Sequence, residues 1–538
     1  MSEASRHLNT CRDMVDEGLG HIHRLCTVAG RLNTAEMDQY QQAIFDLAVS
    51  SSELQAAQVY LDYSDDKSTF EQQLASSFVA EVLHLVQSRL LAAPQDYGIE
   101  RTDDPNLSAF IAANRSTLNL APLGAELMAR QGDVGSRGLD SEKQLMAETF
   151  RQFASDVVAP LAEDIHRQDL IIPEAILDGI RELGCFGLSV PQRYGGLLPD
   201  DQEDSLGMIV VTEELSRVSL GGAGSLITRP EILSRALLEG GTDEQKSHWL
   251  PKIAAGNPLC AIAITEPDYG SDVASMKLKA TAVEDGWVLN GAKTWSTFAG
   301  KAGVLLTLAR TNPDPSLGHR GLSLFMVEKP VFDQDEFEVN QQGGGCLTGK
   351  AIATVGYRGM HSYQLFFDDF FIPDSHLIGQ GQGLDRGFYF TMRGFTGGRI
   401  QTAARACGVI QGALDEAVRY AGDRQVFGKA VGQYQLTQVK FARMAMYLAA
   451  SRQFTYAVGR MMDQGEGQME ASLVKLFACR AAEWITREAM QIHGGMGYAE
   501  ESPVSRYWVD ARVLSIFEGT EETLALKVVG RSLIERAA

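Results

Sequence analysis

Apolar positions along the chain change their period twice. Tyr40, Ile44 and Leu47 recur at helical spacing, and Phe70, Leu74, Phe78, Val82 and Leu85 trace a single stripe with polar residues between them. These stripes predict a helical N-terminal extension over residues 1–91, buried against some other surface. From 92 to 140, Pro94, Gly98, Pro105, Pro122, Gly132, Gly135 and Gly138 interrupt every candidate helix, which predicts a linker. Ser141-Glu142-Lys143-Gln144 then reads as a capping box, and Met146, Phe150, Phe153, Val157 and Leu161 follow as an amphipathic helix opening a helical domain over 141–257. Over 258–378 the period shortens. GWVLNGAKTWST, AGVLLTLAR, GLSLFMVEK and YQLFFDDFFIP are rich in β-branched and aromatic residues and bounded by turns such as Glu284-Asp285-Gly286, the pattern of an antiparallel β domain. Long helical patterns return over 379–538. The fold class is therefore α+β, in the order helices, sheet, helices.

Composition narrows the partners. At 538 residues the chain is too long for one hydrophobic core. The 48 Lys and Arg stand against 69 Asp and Glu, a net charge of −21, with no basic stretch interleaved with aromatics, so no nucleic-acid partner is expected. The 7 cysteines show neither a CxxC pair nor metal-ligand spacing, a reduced pattern that predicts no metal site. The N-terminus lacks the apolar core of a signal peptide, and no apolar run approaches the roughly 18 residues that a membrane span needs. A cytoplasmic protein without a membrane span is expected.

Candidate chemistry sits in five stretches. Ile264-Thr265-Glu266-Pro267-Asp268-Tyr269-Gly270-Ser271-Asp272 ends a strand in a loop able to hold a polar ligand, or equally a self-capped turn. Lys293-Thr294-Trp295-Ser296-Thr297 places an indole and hydroxyls on a strand, where a buried, satisfied Trp is the plainer reading. Arg424-Gln425-Val426-Phe427-Gly428 and Gln491-Ile492-His493-Gly494-Gly495-Met496-Gly497 each end a helix. Their glycines suit C-caps, or a close backbone approach to a diphosphate. Ser515-Ile516-Phe517-Glu518-Gly519-Thr520-Glu521-Glu522-Thr523 sets one glutamate between an apolar run and a helix start, where the helix dipole alone would favour it.

Together these stretches, in this order, resemble the acyl-CoA dehydrogenase family over residues 145–538. The resemblance implies a helical domain, a β domain and a C-terminal four-helix bundle around FAD, with the extra helical region added in front, and a homo-oligomer, at least a dimer, whose neighbouring subunit completes the FAD site. It implies Glu518 as the catalytic base that takes a proton while a hydride leaves the next carbon for flavin N5. The Glu518 N–H would also stabilise the enolate oxygen. Branches of the family that take their base from the residue before the helix arginine have Glu-Arg there; here Gly398 precedes Arg399. The implied FAD contacts are Thr265, Trp295, Thr297, Arg424, Phe427, Gln435, Gln491, Gly494, Gly495, Thr520 and Glu522. Ser271 and Arg399 are implied to lie at the substrate. Electrons would pass to electron-transferring flavoprotein; an oxidase that uses oxygen directly and a non-catalytic flavin- or CoA-binding protein are the alternatives.

Two features depart from the ordinary family member, namely the long N-terminal extension and the segment GGGCLTGKAIATVGYRGMHSYQLFFDDFFIP. Both resemble the branch that converts (2S)-methylsuccinyl-CoA to mesaconyl-CoA in the ethylmalonyl-CoA route; a dehydrogenase for a branched-chain or glutaryl-type acyl-CoA is the nearest alternative. A dicarboxylic substrate must bury a second carboxylate, which calls for a cation. Arg229 is the first candidate, and Arg358 and His361 follow.

Overall fold

The computed structural model describes residues 2–100 and 104–537. Its principal elements are α1 (Glu3–Cys26), α2 (Gln41–Ser64), α3 (Thr69–Leu90), α4 (Pro105–Arg115), α5 (Thr117–Ala129), α6 (Ser141–Phe153), α7 (Ser205–Val218), α8 (Thr228–Gly240) and α9 (Asp243–Ala254). Strands β1 (Cys260–Ala263), β2 (Lys279–Val283), β3 (Gly286–Thr297), β4 (Val304–Arg310), β5 (Leu322–Glu328), β6 (Glu336–Asn340), β7 (Cys346–Ile352) and β8 (Ser362–Pro373) follow. After them come α10 (Gly387–Asp423), the short strands β9 (Gln425–Val426) and β10 (Lys429–Ala430), α11 (Gln435–Asp463), α12 (Gln468–His493), α13 (Pro503–Leu514) and the single turn α14 (Glu521–Thr523). The chain forms two compact units, Met1–Gln144 with Thr402–Ala538, and Leu145–Gln401, divided inside α6 and inside α10.

In the first unit the N-terminal stripe finds its surface. Ser68 and Glu71 close a capping box at the start of α3. Phe70, Leu74, Phe78 and Val82 are buried, and Phe78 stands edge-on to Tyr447 at 5.2 Å and to Phe477 at 5.8 Å, seating α3 on α11 and α12. The expected linker over 92–140 is corrected, apart from residues 101–103, which lie outside the described residues. Two helices occupy it. Pro105 is the first residue of α4, where its missing N–H is no loss, and Pro122 is accommodated inside α5. Gly124 lets α5 approach α11 backbone to backbone, since a Cβ there would lie 1.8 Å from the Gln438 carbonyl oxygen. The start of α6 is also corrected: Asp140, one residue before the expected cap, accepts the Lys143 N–H at 2.8 Å.

In the second unit the sheet order is β1-β4-β2-β3-β8-β7-β6, with β5 beside β4. The sheet is mainly antiparallel, except that β1 runs parallel to β4 and β2 meets β4 in parallel. The chain between β1 and β4 passes through the β2–β3 hairpin, a crossover long enough to return in parallel. Asp285, with φ 60°, makes the turn of that hairpin. Among the described residues no helix is long and apolar enough to cross a membrane.

Candidate active site

In the second unit, the loop after β1 is fixed by a buried ion pair that sequence reading missed. The Glu266 carboxylate accepts the N–H groups of Lys277 and Leu278, each at 2.7 Å, and Lys293 Nζ at 2.9 Å. Lys293 also donates to the Ile264 carbonyl at 2.8 Å. Burial pushes the Lys293 ammonium down to about 8, against the pull of Glu266. The Thr294 N–H donates to the Thr265 carbonyl at 2.8 Å, so the loop and β3 form one rigid edge, with Ser271 exposed on the loop. On β3 strand alternation gives no signal for Lys293, which it would place on the same face as Trp295: Lys293, Thr294 and Ser296 are buried while Trp295 is 55% exposed. The φ angles of Trp295 and Phe298, 56° and 70°, turn the strand end away from regular pleating. Thr297 Oγ1 lies 2.9 Å from Ser362 Oγ, and the Phe298 N–H reaches the carbonyls of Met360 and His361 at 3.0 and 2.7 Å.

That contact leads to the segment singled out as unusual. Tyr357 and His361 have φ 57° and 39°. Arg229, on the first turn of α8, is 7% exposed. Its guanidinium donates to the Ser225 carbonyl at 2.8 Å and to the Tyr357 hydroxyl at 2.9 Å, and lies 3.8 Å from Met360 Sδ. It meets no carboxylate among the described residues. Arg358 and His361 are placed differently. His361 Nε2 lies 3.0 Å from Asp169 Oδ1, and Arg358 Nε lies 3.8 Å from the same atom while Nη1 donates to the His166 carbonyl at 2.8 Å. Gly221 permits this crowding, because a Cβ there would lie 2.2 Å from the Arg358 carbonyl oxygen. Arg399 is half-buried on α10.

In the first unit, β9 and β10 pair through a two-residue turn, Phe427-Gly428, both at positive φ (47° and 84°). This leaves the Phe427 ring 98% exposed. Arg424 and Gln435, just before β9 and at the start of α11, are exposed beside it in sequence. α12 ends at His493, and Gly494 takes φ 59° and ψ −135°. A Cβ on Gly494 or Gly495 would enter open space, a bare backbone cradle next to exposed Gln491.

Glu518 lies between α13 and α14, half-buried, with φ 55°. Its loop is braced on both sides. Lys475, itself buried, donates to the Gly519 carbonyl at 2.6 Å; Thr520 caps α14 by accepting the Thr523 N–H at 3.2 Å; Arg405, fully buried, lies over the Phe517 ring at 4.9 Å. Glu522 is exposed. Among the described residues, neither the Glu518 carboxylate nor its N–H has a hydrogen-bond partner. One residue thus offers a base and an anion-binding donor together.

In the first unit, exposed Arg424 and the bare glycine backbone at 494–495 each suit a diphosphate; in the second, the exposed face of Trp295 suits a flat ring system. Family comparison identifies which. Residues 140–257, 261–370 and 385–534 match the N-terminal, middle and C-terminal domains of acyl-CoA dehydrogenase, and the chain belongs to the acyl-CoA dehydrogenase family. It is an FAD-dependent oxidoreductase of acyl-CoA thioesters. The chain is 40% identical to (2S)-methylsuccinyl-CoA dehydrogenase of Cereibacter sphaeroides over 82% of its own length and 79% of that protein. A glutaryl-CoA dehydrogenase from Mycobacterium smegmatis, solved in complex with FADH2, superposes with TM-score 0.65 at 25% identity, covering 74% of this chain and 96% of that one. A chain in the structure of the electron transferring flavoprotein of Acidaminococcus fermentans gives TM-score 0.66 at 30% identity, covering 74% of this chain and 98% of that one.

Proposed function

We propose that the chain oxidises (2S)-methylsuccinyl-CoA to mesaconyl-CoA, with Glu518 as base. The observation that carries the substrate is Arg229, a buried cation whose polar contacts are all neutral. An uncompensated buried charge is costly, and the free carboxylate of a dicarboxylic thioester would supply its partner. Arg358 and His361 already share Asp169, so they support the wall around that group rather than receive it.

Glu518 removes the proton next to the thioester carbonyl, and its own N–H donates to the carbonyl oxygen as negative charge builds there. The hydride on the adjacent carbon would leave to the acceptor that bound FAD supplies. Thr265, Trp295, Thr297, Arg424, Phe427, Gln435, Gln491, Gly494, Gly495, Thr520 and Glu522 are the residues we assign to holding it. Ser271 and Arg399 are assigned to the acyl-CoA. Electrons leave to an electron-transferring flavoprotein, a reading supported by the solved relative named for one. The exposed Phe427 and Tyr498 rings support a subunit partner, hence a homodimer or larger assembly.

The test compares two thioesters. Arg229→Ala is expected to lower kcat/KM for (2S)-methylsuccinyl-CoA by about 10²-fold or more while leaving 2-methylbutyryl-CoA within a few-fold, since only the first carries a second charge. Equal loss on both substrates, with the flavin absorbance intact, would remove Arg229 from this role.

A further inference from the structure

A cavity lies wholly within the first unit, where the N-terminal helices α2 and α3 meet α11 and α12. It encloses about 310 Å³, in the range of small-molecule sites. Its apolar floor is made by Val49, Leu476 and Phe477. Tyr447 stacks on Phe477 with centroids 5.9 Å apart, and Trp484 tilts against Tyr447 at 5.5 Å, so one wall is a continuous aromatic surface. Glu53, Glu81, Arg89, Arg443 and Arg480 form the polar side.

The hydrogen-bond accounting on that side is lopsided. Glu53 is held by both Arg89 terminal nitrogens, at 2.9 and 3.2 Å, and Glu81 receives Arg115 Nε at 2.7 Å. Both acidic groups are satisfied. Arg443 is not: its Nε is buried without an acceptor, and its nearest acid is Glu81 at 3.9 Å, already engaged by Arg115. The Tyr447 hydroxyl likewise has no partner among the described residues. What the cavity lacks is acceptors placed beside a flat apolar wall.

We propose that this cavity is a binding site for a small planar organic anion, an aromatic or conjugated carboxylate, whose charged end meets Arg443 and the Tyr447 hydroxyl and whose flat body lies on Tyr447 and Trp484. None of these residues belongs to the active site. A ligand there contacts the N-terminal extension and the C-terminal helices at once, so its binding stabilises their association by mass action.

Salicylate is the probe, titrated calorimetrically into the FAD-loaded full chain, with benzyl alcohol and acetate as the uncharged and ringless controls. Saturable binding of one salicylate per chain is expected, with a raised Tm, an unmoved flavin spectrum and at least tenfold weaker binding to Arg443→Gln. Acetate and benzyl alcohol should each bind at least tenfold more weakly than salicylate. Tyr447→Phe keeps the ring packing and should weaken binding severalfold; it carries the test alone should Arg443→Gln lose its flavin. Absence of saturable binding at about 10 mM salicylate, equal binding by benzyl alcohol, or unchanged affinity in both variants would each overturn the proposal.

Discussion

At the scale of the residue, Glu518 is held in a backbone conformation that a side chain other than glycine adopts at a cost of order 1 kcal/mol. The cost is sustained by neighbours on either side, since Lys475 fixes the Gly519 carbonyl and Phe517 is clamped over Arg405. Replacing the carboxylate with an amide preserves shape, backbone and N–H but removes the proposed base. Glu518→Gln should therefore bind FAD and acyl-CoA normally while kcat falls by roughly 10²–10⁴-fold, the usual worth of a positioned general base. Anaerobic mixing with substrate reads this directly as slowed bleaching of the flavin band. Bleaching at the parent rate would place the base elsewhere. The residue pattern around Glu518 is equally that of an acid favoured by a helix start, and its proposed role rests on the family resemblance. Lys475 and Arg405 were not legible, because a single basic residue in a helical pattern reads as solvated, and only packing reveals that both are buried.

At the scale of the element, period and caps announced most helices and strands, whereas prolines and glycines between 92 and 140 misled. A proline ends a helix only if it sits where an N–H is needed, and Pro105 does not. A glycine breaks a helix only if nothing else requires it, and Gly124 is required by the approach of α5 to α11. These are tertiary facts that no local window contains. They give a contrast between two helical glycines. Gly124→Ala must push α5 off the Gln438 carbonyl and should cost about 1–3 kcal/mol, whereas Gly422→Ala on α10, with open space around its Cβ, should be neutral or stabilise by up to about 1 kcal/mol. Chemical denaturation of the two variants beside the parent measures both. A Gly124→Ala protein as stable as the parent would mean that α5 does not dock as described. The candidate site divides in the same way: its motif positions were legible, but the Glu266–Lys293 brace and the Asp169 junction depend on which strands and loops become neighbours.

At the scale of the whole molecule, an excess of 21 negative charges coexists with lysines taken out of water. Lys329 is the plainest case. Burial pushes its ammonium down to about 7, and its hydrogen-bond partners are the carbonyls of Gly300 and Pro330, with the rings of Phe332 and Phe337 around it. The unfolded chain keeps an ordinary lysine, so between pH 7 and the usual lysine range the unfolded state binds a proton that the folded state does not. Stability contributed by this group therefore rises with pH, and is lost as pH falls towards 7. The slope can reach roughly 1.4 kcal/mol per pH unit. Lys329→Met should abolish it, so parent and variant unfolding free energies should converge from pH 7.0 to about 8.5, with the variant the more stable at the lower end. Lys293→Met should behave oppositely, because it strands the buried Glu266 carboxylate without its ammonium and destabilises the fold. Urea unfolding of the three proteins at several pH values separates these outcomes. Parallel pH profiles for the parent and Lys329→Met would show that the Lys329 amine keeps its ordinary proton affinity in the folded protein.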